Sequence, residues 1–364
     1  MELFKWELYK LFRQKIIYIA FISMMAVSTG FTFYYQSDTE KAVYNEWTGP
    51  LTEDRIQQAE KGEAEFAKKI AEMEEGDSLS EEDNYTSEIY NAIVYAKMIK
   101  ERPEVNLTEV VINDPKKAKI AYNLIERIDN SYFSNMKGPR ELTGINSIAG
   151  YAMTAALLLI GVSTIYSNEY SSGADNYLLS TRKGRKTVIW AKIFAALIYV
   201  LLLIIIFDLW MLFYYYLQFG SDGWEMAIQY YTYLSTSPYP FTFWEYHLVY
   251  LGMHILGGMG FALLIMLISM LNKNVLLTFI ISAAVYILPL IIYEMIQWDW
   301  VGNLMLLSYV HMMKAEYVFV DLKFVNVFGT PIIYPIFICI FSLLVSILLI
   351  AIMFRVMQRK EVTV

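Results

Sequence analysis

The residues best suited to chemistry in this chain are few and widely separated. The three histidines, His247, His254 and His311, fall in different segments, and Cys339 is the single cysteine. A single cysteine excludes a disulfide within the chain and any CxxC metal or redox site. The sequence contains neither HExxH nor GxSxG. We therefore predict no catalytic residue, no metal site and no cofactor in this chain.

The segment RKGRKT, residues 182–187, comes nearest to a nucleotide-binding loop. Its glycine, Gly184, is followed by arginine, and no glycine stands five residues before it, so the backbone cannot cradle phosphates as a Walker A loop does. If ATP drives the activity of this protein, a separate chain must supply the ATPase.

Two ionisable residues inside apolar runs are candidates for a translocation path. Asp208 lies well inside the run VIWAKIFAALIYVLLLIIIFDLWMLFYYYL, where a bare carboxylate is costly. It either lines such a path or makes a hydrogen-bonded contact between helices, and the sequence leaves both open. His254 lies one turn before Gly258 in HILGGMGFA. A lone intramembrane histidine more often hydrogen-bonds a neighbour than binds a metal.

Composition places these residues in a membrane protein. The 364-residue chain is 57% hydrophobic and 18% charged, against about 45–50% apolar and about 25% charged in soluble domains. A helix needs about 20 apolar residues to cross a bilayer. We predict an all-α polytopic membrane protein with six transmembrane helices, at 16–35, 146–166, 188–217, 248–271, 275–293 and 331–354.

The N-terminal segment 1–15 is basic, and its apolar residues recur at helical spacing, which predicts an amphipathic helix in the membrane interface. Ala26-Val27-Ser28 resembles a signal-peptide cleavage site, but the apolar run continues to Tyr35, so we expect a retained first span. The charged residues of the predicted interfacial helix are Glu7, Lys10, Arg13 and Lys15.

Basic residues orient the spans by the positive-inside rule. The loop 167–187 between the second and third spans, the turn at 272–274 and the tail 355–364 carry lysine or arginine. We therefore place them in the cytoplasm together with the N-terminus. In the fourth span, Gly258 and Ala262 form a small-xxx-small face that predicts close helix packing.

Residues 36–145 form a hydrophilic, acidic region that this orientation places outside the membrane. Apolar residues at helical spacing predict a small helical insert. One helix is expected to start at the capping box Ser78–Glu81 and another at Asp114-Pro115. The acidic runs EMEEGD and SEEDN are either a solvated face, which is the commoner use of such runs, or a site for a cation or cationic peptide.

Two further segments are predicted to lie on the outer side. Residues 218–247 form an aromatic loop, rich in tryptophan and tyrosine, which concentrate at membrane interfaces. A binding surface for an amphipathic substrate is the alternative for this loop. Residues 294–330 contain an apolar stretch that is too short to span, as is typical of a re-entrant or interfacial helix.

Taken together, three features resemble the membrane subunit of type-2 ABC exporters, the permease class of bacterial drug, peptide and polysaccharide exporters. Two of them are the N-terminal pattern ExxKLxRxK and the six-span layout with external helices before the last span. Many members have proline where this chain has Arg182, and their first external loop is usually shorter than 36–145. The third feature is a loop pattern carried by Glu169, Gly173, Leu178, Leu179, Ser180, Thr181, Arg185 and Lys192.

The resemblance implies that the inner loop docks in a groove of a separate ABC ATPase, which would hold ATP and Mg. It also implies a second copy of this permease, or a related permease, as a partner. The complex would lie in a bacterial cell membrane in contact with membrane lipids, and no nucleic acid is expected as a partner. The residues that it assigns to ATPase coupling are Glu169, Gly173, Tyr177, Leu178, Leu179 and Arg185.

The function that we expect is ATP-driven export of an amphipathic substrate, such as a peptide antibiotic or a lipid-linked molecule. The alternative is a membrane-anchored sensor or scaffold whose acidic insert binds a ligand. An enzyme is a third class, and the absence of a catalytic motif argues against it.

Overall fold

The computed structural model describes residues 2–31, 36–74, 78–173, 184–296 and 298–359. Over these residues the chain is mostly helical. Five of the described helices are long and apolar enough to cross a membrane, and the bent N-terminal helix pair gives a sixth if it counts as one span. The helix content and helix lengths agree with the predicted all-α membrane fold class. The sidedness of the spans stays a prediction.

The chain begins with two helices that meet at an angle of 57°. Helix α1 (Glu2–Phe12) is the predicted amphipathic helix, and α2 (Lys15–Phe31) follows it directly. Leu11 of α1 is buried in the core of the helix bundle, and Phe4, Leu8 and Phe12 pack against the same core. The apolar face of α1 is therefore covered largely by protein.

The insert, residues 36–136, is a helical domain whose two short strands pair antiparallel. Its helix α5 is capped by Ser80, whose side chain accepts a hydrogen bond from the Asp83 backbone N–H. The start predicted at Ser78 is thus wrong by two residues. Ser80 fits the same capping pattern as Ser78, because Asp83 stands three positions after it. Asp114 caps α8 as predicted. The elements are α3 (Asp38–Trp47), β1 (Gly49–Pro50), α4 (Glu53–Ala71), α5 (Glu81–Glu101), α6 (Pro103–Asn106), α7 (Glu109–Ile112), α8 (Pro115–Glu126) and β2 (Tyr132–Phe133).

Residues Lys137–Ser172 form one continuous helix of 36 residues, here named the long helix. At about 1.5 Å per residue it is about 54 Å long, which exceeds the hydrocarbon core of about 30 Å. The predicted boundary between the insert and the second span, at 145/146, lies inside this helix. Its segments are α9 (Lys137–Ile145), a π-helical turn (Asn146–Gly150), α10 (Tyr151–Val162) and α11 (Thr164–Ser172).

The remaining long helices lie close to the predicted spans. The final span begins at Tyr334, because residues 331–333 belong to a β-hairpin. The segment predicted to be re-entrant contains three short helices. In chain order the elements are α12 (Gly184–Phe219), α13 (Phe243–Leu271), α14 (Val275–Met295), α15 (Asp299–Leu306), α16 (Tyr309–Met313), α17 (Glu316–Phe319), β3 (Phe324–Val327), β4 (Thr330–Ile333) and α18 (Tyr334–Arg359).

Helix α13 packs against the long helix and against α12, α14, α16 and α18. A Cβ atom at Gly258 would lie 3.1 Å from Ile204 and 3.2 Å from Val200, both on α12. Ala262, one turn further along, is fully buried. The small-xxx-small face therefore lies in a close helix contact, as its pattern predicted.

Candidate functional site

Four side chains of alternating charge meet where α1, α11 and α12 come together. Lys192 Nζ lies 3.0 Å from Glu7 Oε2 and 2.8 Å from Glu169 Oε1, and it donates to the Ile165 carbonyl at 3.0 Å. Lys10 Nζ lies 3.0 Å from Glu7 Oε1 and 2.7 Å from Glu169 Oε1. Each carboxylate is thus shared by two ammonium groups. We name Glu7, Lys10, Glu169 and Lys192 the four-charge cluster.

Three members of the four-charge cluster, Glu7, Glu169 and Lys192, are largely removed from solvent, whereas the Lys10 side chain is 41% exposed. The Lys192 side chain is 1% exposed, Glu7 is buried, and Lys192 Nζ lies 5.1 Å from the centre of the Tyr166 ring. Buried charges are costly unless they are paired and hydrogen-bonded, and each of these has at least two partners. The cluster therefore holds α1, α11 and α12 in one arrangement.

Local sequence places Glu169 at the end of its helix. Gly173 has a φ of +70° and ends α11, and its backbone N–H donates to the carbonyls of Glu169 and Tyr170. This left-handed conformation favours glycine, which has no Cβ. The structure thus gives Gly173, a predicted coupling residue, the role of ending α11 one turn after Glu169.

A cleft of about 730 Å³ lies beside the four-charge cluster, between α1 and α11. Part of its lining, Asn168, Glu169 and Ser172, belongs to the predicted coupling loop 167–187. Most of its lining residues are polar or charged by type, although apolar atoms form the larger part of the lining surface. The lining comprises Glu7, Lys10, Leu11, Arg13, Gln14, Thr164, Ile165, Asn168, Glu169 and Ser172. A cleft of this character can receive a polar segment of a partner protein.

Of the other predicted coupling and interfacial residues, some lie in the described part of the chain and some lie outside it. Arg185 Nη1 donates to the Gln358 carbonyl at 3.1 Å, which joins the start of α12 to the end of α18. Arg13 and Lys15 are exposed at the junction of α1 and α2. Three coupling residues, Tyr177, Leu178 and Leu179, lie outside the described residues.

The structure brings together polar residues that lie on three of the long helices. Asp208 Oδ2 on α12 lies 3.3 Å from His247 Nε2 on α13. His254 Nδ1 is 2.8 Å from the Tyr250 hydroxyl, and its Nε2 is 2.9 Å from Thr154 Oγ1 on α10. These five residues, Asp208, His247, Tyr250, His254 and Thr154, are named the polar chain.

Both candidate path residues have hydrogen-bonding partners within the polar chain. The partner of Asp208 lies on another helix, and His254 has one partner on another helix and one in the preceding turn of its own helix. Asp208 is buried and has His247 as partner, while Trp224 and Trp244 flank the His247 ring. Sequence reasoning missed His247, because nothing in the local pattern shows that it faces Asp208. Among the described residues, no group of three or more His, Cys, Asp or Glu could hold a metal ion.

At the opposite end of the long helix, ion pairs join α9 to the insert. Lys137 Nζ lies 3.1 Å from Glu40 Oε1 and 3.6 Å from Glu141 Oε1. Arg140 pairs with Glu88 and, at 3.3 Å, with Glu141. These five residues are named the insert network. The long helix is thus held by ion pairs near both of its ends.

Comparison of the sequence with protein-family models and with curated proteins finds no match. Function is therefore inferred from the contacts, charges and cavities of the chain itself.

Proposed function

We propose that this chain is the membrane subunit of an ATP-driven exporter of the ABC class, with a separate ATPase subunit that holds ATP and Mg. The observation that carries the proposal is the four-charge cluster. It joins the N-terminal amphipathic helix to the two helices that flank residues 174–183. Glu7, Lys10, Glu169 and Lys192 are also residues of the patterns that resemble type-2 exporters.

The cluster ties together the two helices between which the coupling loop runs. Glu169 lies in the first part of the predicted loop 167–187, Lys192 follows the loop, and their side chains are 2.8 Å apart. A force that an ATPase applies to the loop would therefore move α11 and α12 together, and α1 with them through Lys10 and Glu7. Such rigid-body movement is a common way in which a nucleotide cycle changes the access to a membrane path.

The cluster lies at the end of the molecule that the positive-inside rule places in the cytoplasm of a bacterial cell. An ATPase there would meet the loop, the exposed cations Arg13 and Lys15 at the junction of α1 and α2, and the adjoining cleft. Two permease chains, identical or related, would form the complete path across the cell membrane.

A second function, a membrane-anchored sensor, is favoured by the insert network. Glu40 and Glu88 of the insert pair with Lys137 and Arg140 of the long helix. A ligand that moves the insert would thereby move a helix that reaches the four-charge cluster. In this case the partner at the cluster would be a signalling protein.

The test is purification of the tagged full-length chain from the bacterium that carries it, after mild cross-linking. We expect an ABC ATPase to copurify with the wild-type chain and to hydrolyse ATP in the complex. Leu178→Asp should lose this ATPase, since it places a charge on the predicted docking surface. Ser221→Asp, on the opposite side of the predicted topology, is the matched control and should retain it.

Two results would overturn the exporter proposal. One is a Leu178→Asp chain that keeps the ATPase and its activity at the wild-type level. The other is a wild-type chain that copurifies with a signalling kinase and with no ABC ATPase, which would favour the sensor.

A further inference from the structure

A groove of about 660 Å³ lies at the insert end of the molecule. Its lining contains no residue of the four-charge cluster or of the polar chain. It is bordered by α2, α5, the long helix and the aromatic loop. Its volume is in the range of about 300–1,000 Å³ that is usual for small-molecule sites. The lining residues are Ser28, Glu88, Arg140, Glu141, Gly144, Ile145, Ile148, Ala149, Met153, Tyr231, Thr232 and Tyr233.

The lining changes from charged to apolar along one face of the long helix. Arg140 and Glu141 lie at one end, and Ile145, Ile148 and Met153 follow at intervals of three to five residues. From Arg140 to Met153 the groove wall is about 20 Å long at the usual helical rise. A ligand that fills this groove must carry a polar head at the insert end and an apolar tail toward the membrane.

The apolar part of the groove opens to the surroundings of the helix bundle. Ile148 is 75% exposed, although it lies in the helix that continues into the second predicted span. An apolar side chain in this place meets lipid rather than water. A ligand can therefore enter the groove sideways from the outer leaflet of the predicted topology.

The accessible charge at the head end is negative. The Glu88 and Glu141 side chains are 35% and 36% exposed, whereas the Arg140 side chain between them is 13% exposed. In the insert network, three carboxylates face the two cations Lys137 and Arg140. One negative charge is left without a balancing cation within the network, and the two carboxylate side chains Glu88 and Glu141 are more exposed than the Arg140 side chain.

Aromatic rings complete the head end. The Tyr231 and Tyr233 rings lie 5.4 Å apart, and Tyr233 is exposed. The face of a tyrosine ring attracts a cation. Burial raises the pKa of the Tyr231 phenol well above its ordinary value, so this residue stays uncharged and presents its ring and hydroxyl.

We propose that this groove binds a cationic amphiphile, with the cationic head between Glu88, Glu141 and the tyrosines and the apolar tail along Ile145, Ile148 and Met153. The occupant is chosen by charge complementarity, because the two half-buried carboxylates of Glu88 and Glu141 repel an anionic head. The inference deepens the proposed function by naming the substrate class. Its test needs neither an ATPase nor transport, so it can fail while the exporter proposal stands.

The test measures protection of a thiol in the groove. The full-length Cys339→Ser chain with Ile148→Cys is placed in phosphatidylcholine nanodiscs and labelled with a maleimide that partitions into the bilayer. Dodecyltrimethylammonium should slow the labelling about fivefold or more, whereas dodecyl sulfate, with the same tail, should slow it by less than about twofold. Ile291→Cys is the control, at a lipid-facing position on α14 outside the groove. The change in its labelling rate measures the effect of each amphiphile on the bilayer alone.

The charge of the head end is tested by substitution. Glu88→Gln removes one carboxylate and leaves Arg140 paired with Glu141. It should raise the dodecyltrimethylammonium concentration that gives half protection by about tenfold, the scale expected for loss of one ion pair in a partly buried site. Glu53→Gln, an exposed acid elsewhere in the insert, is the matched control and should leave this concentration unchanged.

Three outcomes would overturn the inference. Equal or stronger protection by dodecyl sulfate would assign the groove to an anionic head on Arg140. Protection by neither amphiphile would show that the groove takes no single-chain ligand. Unchanged protection in Glu88→Gln would remove the charge argument. If Ile148→Cys does not fold, Ala149→Cys, a smaller change in the same wall, carries the measurement.

Discussion

Lys192 and Glu169 form an ion pair of 2.8 Å that closes the base of the predicted coupling loop. Lys192 lies in the third turn of α12, and Glu169 lies in the last turn of α11. The two residues bracket residues 174–183 and tie together the helices on either side. The same two side chains contact Glu7 and Lys10 of α1, respectively.

The first prediction concerns the stability of this pairing. Lys192→Met removes one of the two cations that Glu7 and Glu169 share and leaves both carboxylates with Lys10 alone. The loss of one partner of a buried ion pair costs up to about 3–5 kcal/mol. We expect a large fall in the melting temperature of the purified chain and less folded protein in the membrane. Lys186→Met, an exposed lysine of the same helix, is the control and should change stability by less than about 0.5 kcal/mol.

A double substitution separates pairing from simple loss of a side chain. Glu169→Gln combined with Lys192→Met removes opposite charges together. It should cost less than the sum of the two single changes, because the interaction is lost only once. Additive effects, or a Lys192→Met chain as stable as the Lys186→Met control, would contradict the structural role of the cluster.

The second prediction concerns Asp208, the carboxylate of the polar chain. Asp208→Asn keeps a hydrogen-bonding group next to His247 but removes the charge, so the chain should reach the membrane at normal levels and bind the proposed ATPase. If Asp208 lines the translocation path, export by the reconstituted complex should fall. Asp208→Leu leaves His247 without this partner and should destabilise the fold by about 1–3 kcal/mol.

Export is the readout that distinguishes the two hypotheses for Asp208. Normal export per molecule by the Asp208→Asn chain would leave only the packing role. A normal melting temperature in Asp208→Leu would instead argue that the contact with His247 adds nothing to stability.

The third prediction tests the close packing of α13. A Cβ atom at Gly260 would lie 2.0 Å from Tyr309 Cε1, and the Tyr309 hydroxyl is 3.1 Å from Ser346 Oγ on α18. The Tyr309 ring lies against Gly260, and its hydroxyl group is hydrogen-bonded to Ser346. Because the ring cannot move away freely, Gly260→Ala should lower the stability by about 1–3 kcal/mol through overpacking. Gly252→Ala in the same helix meets no heavy atom within 4 Å and should be neutral or slightly stabilising. Thermal melting of both variants checks this, and equal stability would contradict the packing.

The fourth prediction concerns the sidedness of the membrane spans. In a Cys339→Ser background, cysteines at Ser78 and Ser221 should react with an impermeant thiol reagent in intact cells, and a cysteine at Ser180 should react only after permeabilisation. Labelling of the Ser180→Cys chain in intact cells would reverse the orientation of the protein. The predicted place of the ATPase would then be wrong as well.

Local sequence patterns predicted a mostly helical chain with several helices long and apolar enough to span a membrane, and they placed some of the helix ends. Apolar run length predicts spans because a bilayer sets the number of residues that a helix needs. The start of α8 at Asp114-Pro115 followed from capping chemistry, which depends on neighbouring residues only. Where two patterns compete within a few residues, as for Ser78 and Ser80, the local signal places the helix start only to within two residues.

The sequence also singled out Glu7, Lys10, Glu169 and Lys192, because their spacing resembles that of a family. Their contact with one another depends on the packing of α1, α11 and α12, since 185 residues separate Lys192 from Glu7. Hydropathy and periodicity describe one segment at a time and carry no information on which faces of distant helices meet. The resemblance therefore named the members of the cluster, and the tertiary structure decided that they are partners.

Asp208 and the amphiphile groove depend still more on tertiary structure. The sequence shows a carboxylate inside an apolar run but not its partner His247, which lies on another helix 39 residues later. The groove takes its lining from four separate parts of the chain, including Ser28, Glu88 and Tyr231. A cavity is the space that packing leaves between elements, and local pattern does not define that space. The residue types were thus set by the sequence, whereas the cavity and the pairing of its charges were decided by the fold.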